Sequence, residues 1–216
     1  MQLEFSLDRP EPGTQRPRGR TERVRSAVLA ATRDQLVAHG YAGLTVERVA
    51  DAAGVAKSTV YRRWRDPAGL LAEQLRDQIR TDIPLADSGS VDLDLQSLAV
   101  GIARYYAVAA NRAFMMGLIA AAVTNPRVAQ TLHEFFQVRN DQAADAVRRG
   151  IERGELPADT DAVEVIRALG APFYYRMLVT HEPIDETVGR HAATLALAAA
   201  RAGALRILDH PSAATP

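Results

Sequence analysis

The chain has 216 residues, 47% of them hydrophobic, with 26 Lys and Arg balanced by 26 Asp and Glu; that is apolar material for one domain or two small ones and too much for wholesale disorder. It contains no cysteine, which excludes a disulfide framework, a thiolate metal site and a cysteine nucleophile. No uninterrupted apolar run approaches the roughly 18 residues of a membrane span, and Met1 to Pro17 carries Glu4, Asp8 and Glu11 without the apolar stretch of a secretory signal, so a soluble, cytoplasmic protein with no membrane partner is expected. In chain order, residues 1–19, rich in Pro, Gly and Arg, read as a disordered arm with a basic end. Helical spacing of Val24, Ala27, Val28, Ala31, Leu36 and Val37 predicts a first helix over Thr21–His39, stopped by Gly40. Thr45 then caps a short helix Val46–Ala53, Gly54 interrupts, and a second short helix runs over Lys57–Trp64. Asp66-Pro67 opens a fourth helix reaching Asp82. Further helices are predicted near Leu93–Ala110, Ala113–Val123, Pro126–Gly154, Asp161–Thr180 and Asp185–Leu208, followed by a frayed tail over 210–216. Long β-branched alternation is absent, so the fold class is all-α with about nine helices.

The neutral total hides an asymmetry. Between Thr14 and Arg65 there are 11 basic against 4 acidic residues, which leaves 15 against 22 for the rest. A basic N-terminal third on an acidic remainder is the footprint of a module that faces phosphate. A merely solvated basic face has the same composition.

Chemistry concentrates between Thr45 and Trp64. Two short helices joined through Ala53-Gly54-Val55 fit a helix-turn-helix, with glycine supplying the left-handed turn and Val49, Ala50, Ala53, Val55 and Val60 a small core. The same pattern fits a structural αα-corner. In the DNA reading, Lys57, Ser58 and Thr59 at the start of the second helix face base edges and nearby phosphates, while Tyr61, Arg62 and Arg63 reach the flanking backbone. Lys57 is the only lysine in the chain, and lysine can donate to guanine O6 and N7.

The run from Thr21 through Gly40-Tyr41, Leu44-Thr45-Val46, Val49-Ala50, Ala53-Gly54-Val55, Lys57, Thr59 and Tyr61 to Trp64 and Leu70-Leu71 closely resembles the TetR family of bacterial repressors over about the first 80 residues. The resemblance implies a three-helix DNA-binding head over residues 20–66 and a helical effector-binding and dimerisation domain over 67–209. It implies that Thr45 lies close to phosphate, that Thr59 and its two predecessors contact bases, and that Tyr61 bonds a phosphate, with Arg48 suited to another. Two positions depart from the family pattern: Ala56 stands where a serine cap is common, and Pro67 where a lysine often opens the fourth helix, a contact for which Arg65 is a candidate substitute. Arg18 and Arg20 of the arm are candidates for the minor groove, or belong to a solubilising tail.

Beyond Pro84 the resemblance rests on length, helical content and position. Tyr105, Tyr106, Phe114, Met115, Met116, Phe135, Phe136, Phe173, Tyr174, Tyr175 and Met177 are candidates to line an apolar effector cavity, with tyrosine hydroxyls and His133 orienting the ligand; aromatic and Met residues at helical spacing also build ordinary cores. The expected ligand is a small hydrophobic or amphipathic effector, with no other cofactor. Leu195, Leu197, Leu205, Ile207, Leu208 and the alanines at 192, 193, 196 and 198–200 suit close helix approach, either inside one chain or between copies. The family resemblance favours a homodimer through the last two helices, matched to a palindromic operator in double-stranded DNA.

The expectation is a repressor released from its operator by the effector; a corepressor-dependent or ligand-independent regulator and a helical interaction adaptor are the alternatives. An enzyme is not expected: His39, His133, His181, His191 and His210 are scattered, and neither a His-Glu-x-x-His metal motif nor a Gly-rich phosphate loop occurs.

Overall fold

The structure, a computed structural model, describes residues 17–80 and 85–207. Nine α-helices are present among them: α1 Pro17–Gly43, α2 Val46–Ala53, α3 Lys57–Trp64, α4 Pro67–Arg80, α5 Val91–Ala107, α6 Ala109–Thr124, α7 Pro126–Glu152, α8 Ala162–Tyr175 and α9 Glu186–Arg201, with a π-helical turn Arg176–Thr180 after α8. No single described helix is long and apolar enough to cross a membrane.

The first helix starts earlier than its predicted Thr21. Pro17 opens it, because proline has no N–H to leave unpaired and its φ is already helical; residues 17–19 therefore belong to the helix and not to a disordered arm. Residues 1–16 and the side chains of Arg18 and Arg20 lie outside the described residues. Gly40 breaks α1 at φ 63°, where it was expected to stop the helix, and one further turn follows to Gly43.

Local chemistry sets the helix-turn-helix. The Thr45 hydroxyl accepts from Arg48 N–H at 3.2 Å and caps α2. Gly54 closes it in the left-handed conformation at φ 63°. The turn from α3 into α4 is tighter: Arg65 has φ 67° and ψ −52°, and Asp66 N–H reaches back to Trp64 O at 2.8 Å, a strained γ-turn. Asp66 Oδ1 then caps α4 through Gly69 N–H at 2.7 Å. A Cβ at Gly69 would lie 2.0 Å from Trp64 O, so only glycine fits there.

Behind the head, α5 and α6 bend by 91° at the single residue Val108, not across the wider gap that the sequence suggested. Side chains hold the corner: Arg112 donates to Tyr106 O at 2.6 Å and Ala107 O at 2.9 Å, and Asn111 Nδ2 donates to Tyr105 O at 2.8 Å. These bonds satisfy carbonyls that a helix end leaves unpaired. The opposite end of α5 starts at Val91, two residues before the expected Leu93, because Glu155 Oε2 accepts from Val91 N–H at 2.8 Å. Asn125 caps α7 and Asp161 caps α8.

The last helix corrects an expectation. It ends at Arg201 and does not run to Leu208. Gly203 turns the chain at φ 71°, and Leu205 O and Ile207 N–H then bond Asp161 N–H and Asp159 O at 2.9 Å each, an antiparallel bridge that a helix cannot make. Leu208 lies outside the described residues. The small residues of α9 are also used within the chain: α9 packs most extensively on α5, burying Ala192, Ala193, Ala196, Leu197 and Ala200. A Cβ at Gly189 would stand 2.7 Å from Ala99 O. One contiguous apolar cluster runs from Val28 of α1 through Val60 and Trp64 to Phe114, Phe173 and Ala200, so head and helical domain share a core.

Candidate nucleic-acid interface

Recognition of a duplex needs donors presented outward on a rigid, buried support. Val49, Ala50, Val60 and Trp64 supply that support, each under 5% exposed. Lys57, Ser58, Tyr61, Arg62 and Arg63 are exposed on α3, with Thr59 half-buried beside them. Arg48 is exposed on α2, and Thr45 is half-buried at its N-terminus. The structure thus brings eight of the ten sequence-derived candidates onto the two helices of the head; Arg18 and Arg20 are the two whose side chains are not described. Arg63 stacks over the Trp64 ring, with 4.9 Å from guanidinium carbon to ring centroid.

Two acids that the sequence reading left aside belong to the same surface. The Tyr61 hydroxyl donates to Glu47 Oε1, and Lys57 Nζ stands 3.7 Å from Asp51 Oδ2. Tyr61 holds the Glu47 carboxyl below its ordinary value by that hydrogen bond, which in turn raises the Tyr61 phenol. Glu47 and Asp51 are four residues apart, as are Lys57 and Tyr61; that spacing puts each pair on one helix face, and only the packing of α3 on α2 brings the two faces together.

The head is tied to the helical domain by polar contacts. Asp66 Oδ2 pairs with Arg127 at the start of α7 at 2.7 Å, and Asn125 Nδ2 donates to Tyr41 Oη at 2.7 Å. Arg33 of α1 donates to Asn111 Oδ1 of α6 and lies 4.7 Å over the Phe114 ring. A Cβ at Gly117 of α6 would meet the Leu36 side chain of α1 at 3.1 Å, so these two helices touch closely.

The candidate effector residues divide into three groups. Phe114, Met115, Phe173 and Met177 are buried core, and Phe114 belongs to the α1–α6 contact. Tyr105, Tyr106, Phe135, Phe136 and Tyr174 form a chain of edge-to-face contacts, with ring centroids 5.2 Å apart for Tyr105–Tyr106 and Phe135–Phe136, 6.0 Å for Tyr106–Tyr174 and 5.7 Å for Phe136–Tyr174. Within this chain the Tyr106 and Tyr174 hydroxyls lie 3.1 Å apart. Burial pushes Tyr174 up to about 12 and Tyr106 well above its ordinary value, so both stay neutral phenols at pH 7. Met116 is half-buried, while Tyr175 and His133 are exposed and stand outside the aromatic chain. Among the described residues, no three His, Asp or Glu side chains gather as a metal site.

Residues 28–73 match the family described as bacterial regulatory proteins, tetR family, and residues 85–196 match the tetracyclin repressor-like C-terminal domain. The chain is 31% identical over 176 residues to the HTH-type transcriptional regulator AqdR of Rhodococcus erythropolis, covering 82% of this chain and 84% of the relative. It is 27% identical over 189 residues to the DNA-binding transcriptional repressor TetR of Mycobacteroides abscessus, covering 86% and 98%. Among solved structures, that of the TetR family transcription regulator SCO0332 is 28% identical, covers 81% of this chain and 97% of its own, and superposes with a TM-score of 0.64. With its head and its helical domain both matched, this chain belongs to the TetR family of helix-turn-helix transcriptional regulators.

Proposed function

We propose that the protein is a cytoplasmic homodimeric repressor that holds a palindromic operator and is released by a small apolar or amphipathic effector. Lys57, Ser58 and Thr59 read base edges, and Thr45, Arg48, Tyr61, Arg62 and Arg63 hold the phosphate backbone. Two heads related by two-fold symmetry meet half-sites about one DNA turn apart, roughly 34–36 Å. The exposed flank of α9, with His191, Thr194, Leu195 and Ala198, is the side left for a second copy once its alanines are packed on α5.

The observation that carries effector release is one continuous linkage. The aromatic chain ends on Tyr105 and Tyr106 in the last turn of α5; Asn111 binds the Tyr105 carbonyl and, through its own oxygen, Arg33 of α1. A ligand that separates the Tyr106 and Tyr174 hydroxyls moves the end of α5, and with it the α6–α1 contact on which the head sits. Differential affinity of the ligand for the two arrangements then shifts the population away from the DNA-matched one.

The test is fluorescence anisotropy of a labelled duplex from the gene's own upstream region against a scrambled duplex at several salt concentrations, followed by titration of small aromatic compounds into the preformed complex. Preference for the native duplex and its loss on adding a compound is the expected result. Tighter binding with the compound reverses the polarity to corepression, and no salt-dependent binding to either duplex sinks the DNA reading.

A further inference from the structure

In the free protein two outward donors of α3, Lys57 and Tyr61, are already engaged by acids of α2. Glu47 and Asp51 occupy one face of α2, and Lys57 and Tyr61 one face of α3, because residues four apart in a helix are neighbours on its surface. The two faces meet, Glu47 on Tyr61 and Asp51 on Lys57. The Lys57 ammonium also acts on Glu47 and helps to hold its carboxyl low. One carboxylate therefore bears on two of the groups assigned above to DNA. A phenol has a single proton to donate, so a Tyr61 hydroxyl bonded to Glu47 has none for a phosphate.

We infer that Glu47 is an electrostatic brake on DNA binding: its carboxylate stands in for a DNA phosphate on Tyr61, seconded by Asp51 on Lys57, and so lowers the phosphate-driven, sequence-independent part of the affinity. An encounter with backbone phosphate must first displace the carboxylate and then tolerates its uncompensated negative charge. That cost applies to every duplex, whereas base contacts from Lys57, Ser58 and Thr59 offset it only on the operator. The inference rests on the assignment of Tyr61 and Lys57 to DNA contact in the proposed function.

The experiment measures affinity of the full-length protein for a mixed-sequence duplex of about 30 base pairs, roughly three helical turns, over a series of salt concentrations. The proteins are wild type, Glu47→Gln, Asp51→Asn, Tyr61→Phe and the Glu47→Gln/Tyr61→Phe double variant. Glu47→Gln is expected to bind about two- to five-fold more tightly, the range that exposed charged contacts carry, with a steeper salt dependence as a further phosphate contact forms. Asp51→Asn moves the same way by less. In the Tyr61→Phe background the gain from Glu47→Gln shrinks to what the removed charge alone contributes, because no hydroxyl remains to be released. An equal gain with and without the hydroxyl overturns the inference and makes Glu47 a charge near DNA and nothing more; so does unchanged or weaker binding by Glu47→Gln and Asp51→Asn. Failure of the wild type to bind with any salt dependence is a different result, which overturns the DNA assignment itself and the inference with it.

Discussion

The head and the domain behind it handle polar side chains in opposite ways. In the head, Lys57, Tyr61, Arg62 and Arg63 stand exposed on a support of Val49, Val60 and Trp64. In the helical domain the polar pair is inside, with the Tyr106 and Tyr174 hydroxyls facing each other among aromatic rings. A surface that meets a polyanion needs donors that water already solvates and phosphate can claim. An effector site needs the reverse, a few oriented polar groups within an apolar setting. Surface donors follow from local helix spacing, but an interior polar pair depends on how distant helices pack.

The largest expected effect tests whether this division of labour is also a division of folding. Trp64→Ala in the head and Phe173→Ala in the helical domain each remove a buried aromatic and should cost about 3–5 kcal/mol. Because one apolar cluster spans both regions, each variant should lower a single unfolding transition seen by far-ultraviolet circular dichroism. Two separated transitions, with Trp64→Ala lowering only one, would make the head an independent unit.

A smaller effect is expected where the helical domain uses its small residues. Gly189→Ala places a methyl against the Ala99 carbonyl and should destabilise by about 1–3 kcal/mol through overpacking, read as a lower urea midpoint. Leu195→Ala, on the exposed flank of the same helix at 65% exposure, should leave monomer packing alone and act on association, read by sedimentation. A large loss of fold from Leu195→Ala, or none from Gly189→Ala, would reverse the faces assigned to α9. On the head, Lys57→Ala should weaken binding to the preferred duplex about ten-fold, within the range of one good base contact, and less on a scrambled duplex; equal loss on both would make Lys57 a phosphate contact.

How far the sequence carried these readings differs between the same two regions. Thr45, Gly54 and Asp66-Pro67 announced their caps and turns because each bond is made within a few residues. The α5–α6 corner was misplaced because its breaker is not Gly or Pro; Arg112 and Asn111 reach back from the following helix to the carbonyls of the preceding one. The end of α9 was overrun because an Ala- and Leu-rich strip reads as helix until the backbone of residues 159–161 claims it. At the candidate site the donors were legible and their acidic partners were not, since Glu47 and Asp51 on a short helix look like an ordinary solvated face until α3 is laid across them. The aromatic residues were legible as a set, but their sorting into core, α1–α6 contact and hydroxyl-bearing chain is a property of packing alone.

The smallest effect joins the two halves of the comparison through charge. Arg25 of α1 is 7% exposed and bonds Glu73 at 2.8 Å and Asp77 at 2.7 Å, both on α4, with Glu22 at 3.1 Å. Burial alone would raise the Glu73 carboxyl; the hydrogen bond and charge of Arg25, with smaller help from Arg63 and Arg76, outweigh it and hold Glu73 below its ordinary value. A carboxyl depressed in the folded state contributes stability that is full above its unfolded value, about 4.3, and is lost as pH falls through the folded value. Arg25→Met removes the compensation and leaves burial to act alone, so at neutral pH the variant should be less stable by about 1 kcal/mol, below the 3–5 kcal/mol of a fully buried broken pair because the acids keep contact with water. Once Glu73 is protonated in both proteins the difference should shrink, so the two stability curves should converge below about pH 4. Parallel curves across that window would mean that Arg25 holds α1 to α4 by packing of its aliphatic stem, and that the contact between head and domain is apolar at this point as well.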